Sequence, residues 1–263
     1  MRSSPRRGVR EPQVKVRALY EKQYTEGAVR NATAAGEARR GVIGHLLSQH
    51  RVDRRTAASQ LLRGGRSILD IGCGDGEFLE AVREKFDELW GLDLVQSRAF
   101  LCHKLLCETG HQRHGVVVAN IDDGHLPWRD GYFDAVVSLS VLEHVLDPFH
   151  FIGECRRVLK PGGQLILQVP NIAYAKYRIS IALGRFPSTS TPREFWPETG
   201  WDDGHLHYFD VSNLRWLLRI GGFIVEGFSG SGAFAKWRRW WPSLLCGDLI
   251  VSARKPNSEQ VEN

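Results

Sequence analysis

The sequence predicts an α/β fold: a doubly wound, mostly parallel sheet of seven strands with an antiparallel edge strand. Short apolar runs alternate with amphipathic helical stretches, which is the pattern of parallel βαβ units covered on both faces. No clear helix separates the last two runs, which indicates an antiparallel pair at the sheet edge. The predicted strands are residues 67–71, 88–93, 115–121, 133–140, 164–170, 223–228 and 248–253. The predicted helices between them are residues 77–86, 97–109, 148–159 and 211–219.

Composition narrows the class of protein. The 263 residues are 42% hydrophobic and 25% charged, unlike disordered, collagen-like or disulfide-scaffold chains. Five scattered cysteines, an odd number, indicate a reducing compartment. No apolar run reaches the ~18–20 residues that span a bilayer, and no apolar stretch follows the basic start as in a secretory signal. We therefore expect a cytoplasmic protein.

Basic residues are concentrated near the start of the chain. Residues 1–66 contain 15 Lys/Arg and 5 Asp/Glu, whereas the remainder carries a local charge of −5. Such a segment can attract nucleic acid, acidic lipid or an anionic substrate, or it can be a solvated helical extension. We expect five parts: a disordered basic tail (1–13), a helical extension (14–63), the main domain (64–255) with an insertion (171–210), and a short tail (256–263).

A glycine-rich turn follows the first predicted strand. Gly72 permits a tight turn, and Gly74 and Gly76 let a ligand approach the backbone. The absence of Gly-Lys-Ser/Thr disfavours a triphosphate-binding P-loop. Asp93 ends the next predicted strand, where an acid can accept both ribose hydroxyls of an adenosine ligand. The alternative is a strand-to-helix turn followed by a helix-capping aspartate.

These residues carry a family resemblance. Residues 68–80 resemble motif I of the class I S-adenosylmethionine-dependent methyltransferases, and Asp93 falls on their acidic ribose-binding position. Similar blocks at 126–137, 141–145 and 156–163 follow in the family's order. The resemblance covers roughly residues 64–254, and it implies a Rossmann-like fold with S-adenosylmethionine as cofactor.

The resemblance also implies a set of cofactor contacts. Asp70 and the glycines would surround the methionyl part and ribose, and Asp93 would hold the ribose hydroxyls. The adenine contact is either Asn120 or Asp122, since the alignment is ambiguous there. The implied cofactor-binding residues are Asp70, Gly72, Cys73, Gly74, Gly76, Asp93, Leu94, Asn120, Ile121, Asp122, Ser138 and Leu139.

Several side chains are candidates for the acceptor side of the reaction. Methyl transfer from a sulfonium is an in-line displacement that needs positioning and sometimes removal of a proton, but no metal. His144, His205 and His207 are candidate catalytic bases, although His144 can equally cap a helix or pack on the cofactor. Residues expected to contact the acceptor are Tyr20, Tyr24, Glu143 and Tyr208. The extension would then close over the acceptor pocket.

No metal site is expected from the sequence. His205 and His207 lack a clear third ligand. The group formed by Cys102, His103, Cys107, His111 and His114 has no Cys-x-x-Cys pair, which favours an ordinary surface helix.

The acceptor is predicted only by class. Residues 169–171, 184–187 and 204–209 are similar to a subgroup that includes MetW-type proteins and methyltransferase-like proteins of polysaccharide and natural-product pathways. We expect methyl transfer to oxygen or nitrogen of a natural-product, sugar or lipid-linked small molecule by a monomer or homodimer. The alternatives are a cofactor-binding regulatory partner of another enzyme, or a nucleic-acid methyltransferase supported only by the basic extension. Aromatic and basic residues at 234–241 can contact a membrane, wall the acceptor pocket or pack at the sheet edge.

Overall fold

The computed structural model describes residues 51–190, 192–233, 238 and 240–257. Its strands are β1 (Arg51–Val52), β2 (Gly65–Ile71), β3 (Phe86–Asp93), β4 (His114–Val118), β5 (Phe133–Leu139), β6 (Leu159–Pro170), β7 (Ile224–Ser229), β8 (Gly232–Ala233) and β9 (Asp248–Arg254). Its helices are α1 (Arg54–Leu61), α2 (Glu77–Val82), α3 (Gln96–Glu108), α4 (Pro148–Val158), α5 (Ala175–Ala182), α6 (Trp196–Thr199), α7 (Val211–Ile220) and α8 (Pro242–Leu245). Short 3₁₀ turns occupy Arg83–Lys85, Ile121–Asp123, Arg193–Phe195 and Trp201–Gly204.

Seven strands form one sheet in the order β4-β3-β2-β5-β6-β9-β7. Strands β2 to β6 pair in parallel, and β9 runs antiparallel to both β6 and β7. The predicted Rossmann-like, mostly parallel seven-stranded sheet is therefore confirmed, with its antiparallel strand inserted second from the edge. Strands β1 and β8 pair separately as a short antiparallel ribbon.

Several element boundaries differ from the sequence prediction, most clearly at the helix after the glycine loop. The predicted helix 77–86 ends at Val82, and Phe86 instead opens β3 with its side chain buried. Because Phe86 continues the helical spacing of buried residues, the apolar pattern alone could not place this end. The insertion, expected to be irregular, contains α5, α6 and two 3₁₀ turns.

The core lies on both faces of the sheet. Ile68 belongs to the cluster that packs with Phe78 of α2 and Leu106 of α3, whereas its neighbour Leu69 faces the cluster of Phe151 in α4. Alternate residues of one strand thus face opposite helical layers, as a parallel sheet buried on both sides requires. No helix within the described ranges is long and apolar enough to cross a lipid bilayer.

The end of the predicted extension packs on the sheet. Helix α1 begins after Asp53, whose carboxylate accepts hydrogen bonds from the amides of Arg55 and Thr56. Ala58 is fully buried in the same cluster as α2 and α3. The remaining calls on the first 50 residues, including the 1–13 tail and the lid with Tyr20 and Tyr24, lie outside the described residues, as do 258–263.

Only part of the aromatic and basic stretch at 234–241 is described. Trp240 is 87% exposed and Trp241 is 58% exposed. Residues 234–237 and 239 lie outside the described ranges. The three interpretations of this stretch therefore stay predictions.

A buried carboxylate fixes the connection between β4 and β5. Glu154 of α4 accepts hydrogen bonds from Leu126 N at 2.6 Å, from His125 Nδ1 at 2.9 Å and from the guanidinium of Arg157 at 2.8 and 2.9 Å. Burial alone would raise the pKa of Glu154, but these hydrogen bonds lower it from 4.5 to about 2. The connection between β4 and β5 that Glu154 holds in place contains Asn120 and Asp122, the candidate adenine contacts.

Removing this charge should destabilise the fold. Glu154→Gln is expected to lower the free energy of unfolding at neutral pH by about 3 kcal/mol, because the partly buried Arg157 loses its carboxylate. Since the folded-state pKa of Glu154 is lowered, the difference from wild type should shrink as pH falls from 4.5 towards about 2. Urea unfolding at a series of pH values measures both effects.

The matched control is Glu108→Gln, which breaks an exposed ion pair with Lys104 one helical turn away. It should change the free energy of unfolding by less than about 0.5 kcal/mol. Equal losses in the two variants would contradict the role of the Glu154 network.

Candidate active site

A cleft opens at the carboxyl ends of the parallel strands. Strand β2 pairs with β3 on one side and with β5 on the other. The chain runs outward from β2 through β3 to β4, then crosses back to β5 and β6. Open α/β sheets form a ligand-binding crevice at such a reversal of strand order.

Most of the residues that the resemblance assigns to the cofactor line this cleft. They are Asp70, Gly72, Cys73, Gly74, Asp93, Leu94, Asn120, Ile121, Asp122 and Leu139. Gly76 and Ser138 are not among the lining residues: Gly76 caps α2, and the Ser138 hydroxyl donates to the carbonyl oxygen of Ile71 at 3.1 Å. These two residues lie behind the wall of the cleft.

The glycine loop is held in a left-handed conformation against the end of β3. Gly72 has φ +78°, and its amide donates to the carbonyl oxygen of Leu92 at 2.7 Å. A Cβ atom on Gly72 would lie 2.3 Å from Cγ2 of Val141. Gly74, with φ +57°, donates its amide to Oδ2 of Asp93 at 2.9 Å. Position 72 therefore requires glycine, and the left-handed φ of Gly74 favours it.

Asp93 joins the loop to the start of the next helix. Its Oδ2 accepts from Gly74 N, and its Oδ1 accepts from Val95 N at 2.8 Å. Burial raises the pKa of Asp93, although these backbone hydrogen bonds oppose the shift. Each carboxylate oxygen can accept a further hydrogen bond, so the side chain can still take a ribose hydroxyl from the cleft.

A second carboxylate in the cleft titrates near neutrality. Asp70 is 3% exposed, and burial together with the charge of Asp93 raises its pKa to about 7, while Arg55 opposes the shift. A carboxyl group in this state responds to an entering positive charge by releasing its proton.

The turn after β5 is joined to the segment before α7. The backbone carbonyl of Glu143 accepts from the amides of Leu206 at 2.8 Å and His207 at 3.1 Å. Nδ1 of His144 lies 3.2 Å from the carbonyl oxygen of Gly204, and the rings of His144 and His205 are 4.7 Å apart between centroids. The fold thus brings Glu143, His144 and His205 together, and His144 also lines the cleft.

Two predicted acceptor-side residues point elsewhere. Nε2 of His207 lies 3.0 Å from the carbonyl oxygen of Val145, and the Tyr208 hydroxyl donates to Asp202 at 3.3 Å. Neither side chain lines the cleft, and Glu143 and His205 are not among its lining residues either. Burial, followed by the neighbouring His205, lowers the pKa of His144 to about 4, so its ring is neutral at neutral pH and is a weak base.

Sequence reasoning missed the residue that anchors this segment. Asp202 is fully buried and has φ +46°. Its carboxylate accepts from the hydroxyls of Ser188 at 2.9 Å and Thr189 at 2.6 Å, and from the Tyr208 hydroxyl. Burial opposes ionisation, but these hydrogen bonds and His205 hold the pKa of Asp202 far below its usual range. The Asp-Asp-Gly sequence before His205 was the available signal of a tight, left-handed turn.

Arg54 and Ser140 were also missed. Both line the cleft, and the Arg54 guanidinium donates to Oγ of Ser140 at 2.9 Å. Ser140 has φ +59°, an uncommon conformation for a residue other than glycine, and its hydroxyl donates to Gln168 at 2.8 Å. The sequence carried no motif for this pair, since the two residues are 86 positions apart.

The glycine loop allows a controlled test. Gly72→Ala should weaken binding of S-adenosylhomocysteine by at least about tenfold, because the added methyl group collides with Val141 and displaces the loop. Gly110→Ala is the control, with a similar φ of +71° but nothing within 4 Å of the added Cβ. It should lower stability by about 1 kcal/mol without changing binding. Calorimetric titration measures the binding, and equal weakening in both variants would contradict the model of the loop.

Comparisons with known proteins agree with this geometry. A family model described as a methyltransferase domain matches residues 69–167. A ubiquinone biosynthesis O-methyltransferase from Xanthomonas oryzae pv. oryzae is 30% identical over 197 residues, which cover 74% of this chain and 76% of the relative. A probable S-adenosylmethionine-dependent methyltransferase from Mycolicibacterium smegmatis is 30% identical over 175 residues; these cover 64% of this chain and 57% of that relative's length.

Solved structures share the fold. The crystal structure of an S-adenosylmethionine-dependent methyltransferase from Mesorhizobium loti matches with a TM-score of 0.58 at 23% identity, covering 76% of this chain and 96% of that one. Together with the family model and the sequence relatives, the cleft identifies the cofactor as S-adenosylmethionine. The chain belongs to the class I S-adenosylmethionine-dependent methyltransferases and is an enzyme of that family.

Proposed function

We propose that this enzyme transfers the methyl group of S-adenosylmethionine to an oxygen or nitrogen atom of a small-molecule acceptor by direct in-line displacement. The observation that carries the proposal is the continuity of the cleft: it runs from Asp93 and Asp122 to Ser140 and His144. One end matches the adenosine contacts of the family, and the other offers polar side chains for an acceptor. The O-methyltransferase name of the Xanthomonas oryzae relative supports a small acceptor.

Each part of the cofactor has a place in this proposal. The ribose hydroxyls donate to Asp93, and the adenine lies against Ile121 between Asn120 and Asp122, both of which line the cleft. The methionyl part lies near Gly72 and Leu139, which brings the sulfonium towards the buried carboxyl group of Asp70. Ionised Asp70 then compensates the positive charge on sulfur.

Positioning supplies most of the catalysis in this scheme. The acceptor lone pair forms the new bond to the methyl carbon, while the electrons of the carbon–sulfur bond return to sulfur and leave a neutral thioether. Burial lowers the pKa of His144 to about 4, so His144 is too weak a base to remove the acceptor's proton at neutral pH, and that proton passes to water. The Arg54 guanidinium offers N–H donors at the same end, which suits an acceptor rich in oxygen, such as a sugar or phenolic natural product.

The cellular setting is part of the proposal. All five cysteines are free thiols, four of them buried. This supports a reducing, cytoplasmic location. The ubiquinone biosynthesis name of the Xanthomonas oryzae relative supports a biosynthetic role. Family membership favours turnover over a partner that binds the cofactor only to regulate another enzyme.

The proposal is tested by following a labelled methyl group. The full chain and its Gly72→Ala variant are incubated with methyl-labelled S-adenosylmethionine and an extract of the source cells. We expect label in low-mass products, including lipid-linked ones, that depends on Gly72. Label confined to nucleic acid or protein would contradict the acceptor class, whereas cofactor binding without any label would favour the regulatory alternative.

The charge state of Asp70 leads to a prediction about pH. Affinity for the cationic S-adenosylmethionine should rise about tenfold between about pH 6 and about pH 8, because the ligand binds best to ionised Asp70, whose pKa is raised to about 7. Affinity for S-adenosylhomocysteine, with its neutral sulfur, should rise less. Calorimetric titration of both ligands at several pH values gives the ratio.

Two variants isolate the group responsible. Asp70→Asn should remove the difference in pH dependence between the two ligands. Asp75→Asn is the control: Asp75 pairs with Arg98 at 2.8 Å, and despite partial burial the pKa of Asp75 is lowered, so Asp75 stays ionised throughout this range. An unchanged pH dependence in Asp70→Asn would show that another group titrates.

A further inference from the structure

The turn after β5 buries a carboxylate that lacks hydrogen-bond partners. Glu143 is 1% exposed, and within the described part of the chain neither carboxylate oxygen has a partner outside its own residue. Burying an unpaired carboxylate is costly unless a cation compensates it. The pairing found around Glu154 shows how this fold satisfies another buried acid. Glu143 therefore needs a specific physical explanation.

Two imidazole rings lie beside this carboxylate. Glu143, His144 and His205 each offer one ligand atom, and the three atoms lie within 4.8 Å of one another. Glu143 and His205 are buried, and His144 lies at the wall of the cleft. One carboxylate oxygen and two imidazole nitrogens form a ligand set typical of catalytic Zn²⁺ and related transition metals, which keep further coordination positions open.

The hydrogen bonds of the two rings determine which nitrogens carry protons. The carbonyl oxygen of Gly204 can only accept, so Nδ1 of His144 is the protonated nitrogen and Nε2 holds the lone pair. The hydroxyl of Thr189 gives its single proton to Asp202 at 2.6 Å. It must therefore accept from Nδ1 of His205 at 2.8 Å, which again leaves the lone pair on Nε2.

This is the usual orientation of metal-binding histidines. Their second ring nitrogen donates to a carbonyl oxygen or to an acceptor linked to a carboxylate, which fixes the tautomer and the plane of the ring. His144 has the first kind of partner, and His205 has the second through Thr189 and Asp202. The strained turn at Asp202 therefore does more than pack the segment, because through Thr189 it also fixes the orientation of the His205 ring.

We propose that Glu143, His144 and His205 bind a divalent transition-metal cation of the zinc class through a carboxylate oxygen and the two Nε2 atoms. The cation compensates the buried charge of Glu143. Because His144 lines the cleft, the open coordination positions of the cation would face the end of the cleft where the acceptor is proposed to bind. No clear third ligand lies close to His205 and His207 in the sequence, which is why no metal was expected; in the proposed site Glu143 and His144 come from the turn after β5.

Metal binding is measured on the full chain, free of any affinity tag and stripped with a chelator, without S-adenosylmethionine. Zn²⁺ is titrated by calorimetry, and Co²⁺ is titrated by its visible absorption, which reports the ligand set. We expect one cation per chain at the proposed site. Glu143→Gln and His205→Ala should each weaken it by more than about tenfold and change the Co²⁺ spectrum. Thr189→Val keeps all three ligands and should weaken binding about tenfold.

A second cluster on the surface provides the matched control. Cys107 Sγ lies 3.4 Å from Nε2 of His114 and 3.7 Å from Nε2 of His103, and this trio also has metal-ligand geometry. Cys107→Ser should leave the Co²⁺ spectrum and the affinity at the proposed site unchanged. Loss of the bound cation in Cys107→Ser, or its retention in Glu143→Gln, would overturn the proposal.

Folding and function are kept separate in this test. Each variant is first shown to bind S-adenosylhomocysteine, whose predicted contacts do not include Glu143 or His205. Glu143→Gln conserves shape, so it remains informative if His205→Ala does not fold. Absence of Zn²⁺ and Co²⁺ binding in folded wild-type protein would overturn the metal site without affecting the proposed methyl transfer.

Discussion

The carboxylate of Asp93 organises the cofactor end of this enzyme. It accepts the amide of Gly74 from the loop after β2 and the amide of Val95 before α3, so two successive strand ends are joined at one side chain. This link, together with the hydrogen bond from the Gly72 amide to the carbonyl oxygen of Leu92, holds the left-handed glycine loop against β3. Asp70, at the end of β2, lines the same cleft beside that junction.

Asp202 is a second acid that joins separate segments of the chain, here at the opposite end of the cleft. Asp202 gathers the hydroxyls of Ser188, Thr189 and Tyr208 and thereby packs the insertion onto the turn that carries Glu143. Ionised Asp202 is well hydrogen-bonded, whereas the carboxylate of Glu143 has no such partners among the residues that the structure describes. This contrast between two buried acids is the physical basis for assigning a structural role to Asp202 and for proposing a ligand-binding role for Glu143.

Features of the fold and the site could be predicted from the sequence where they depend on residues close together in the chain. The glycine loop, Asp93 and the strand-helix alternation were predictable because turn chemistry and apolar spacing act within about 20 residues. The exact end of α2 was not, since Phe86 fits the helical spacing yet is needed by β3. Tyr208 and His207 were predicted to act on the acceptor because of their residue types. In the structure Tyr208 hydrogen-bonds to Asp202, and His207 lies against the backbone carbonyl of Val145.

The sequence by itself determined the fold class and the cofactor, and it predicted most of the residues that line the cleft, because these depend on contiguous motifs at strand ends. Only the tertiary structure decided which polar residues meet at the acceptor end. Arg54 reaches Ser140, and Glu143 and His144 reach His205, across long separations in the chain. Such meetings follow from the order of strands in the sheet and the path of the insertion, and neither is encoded in the spacing of residues along one segment.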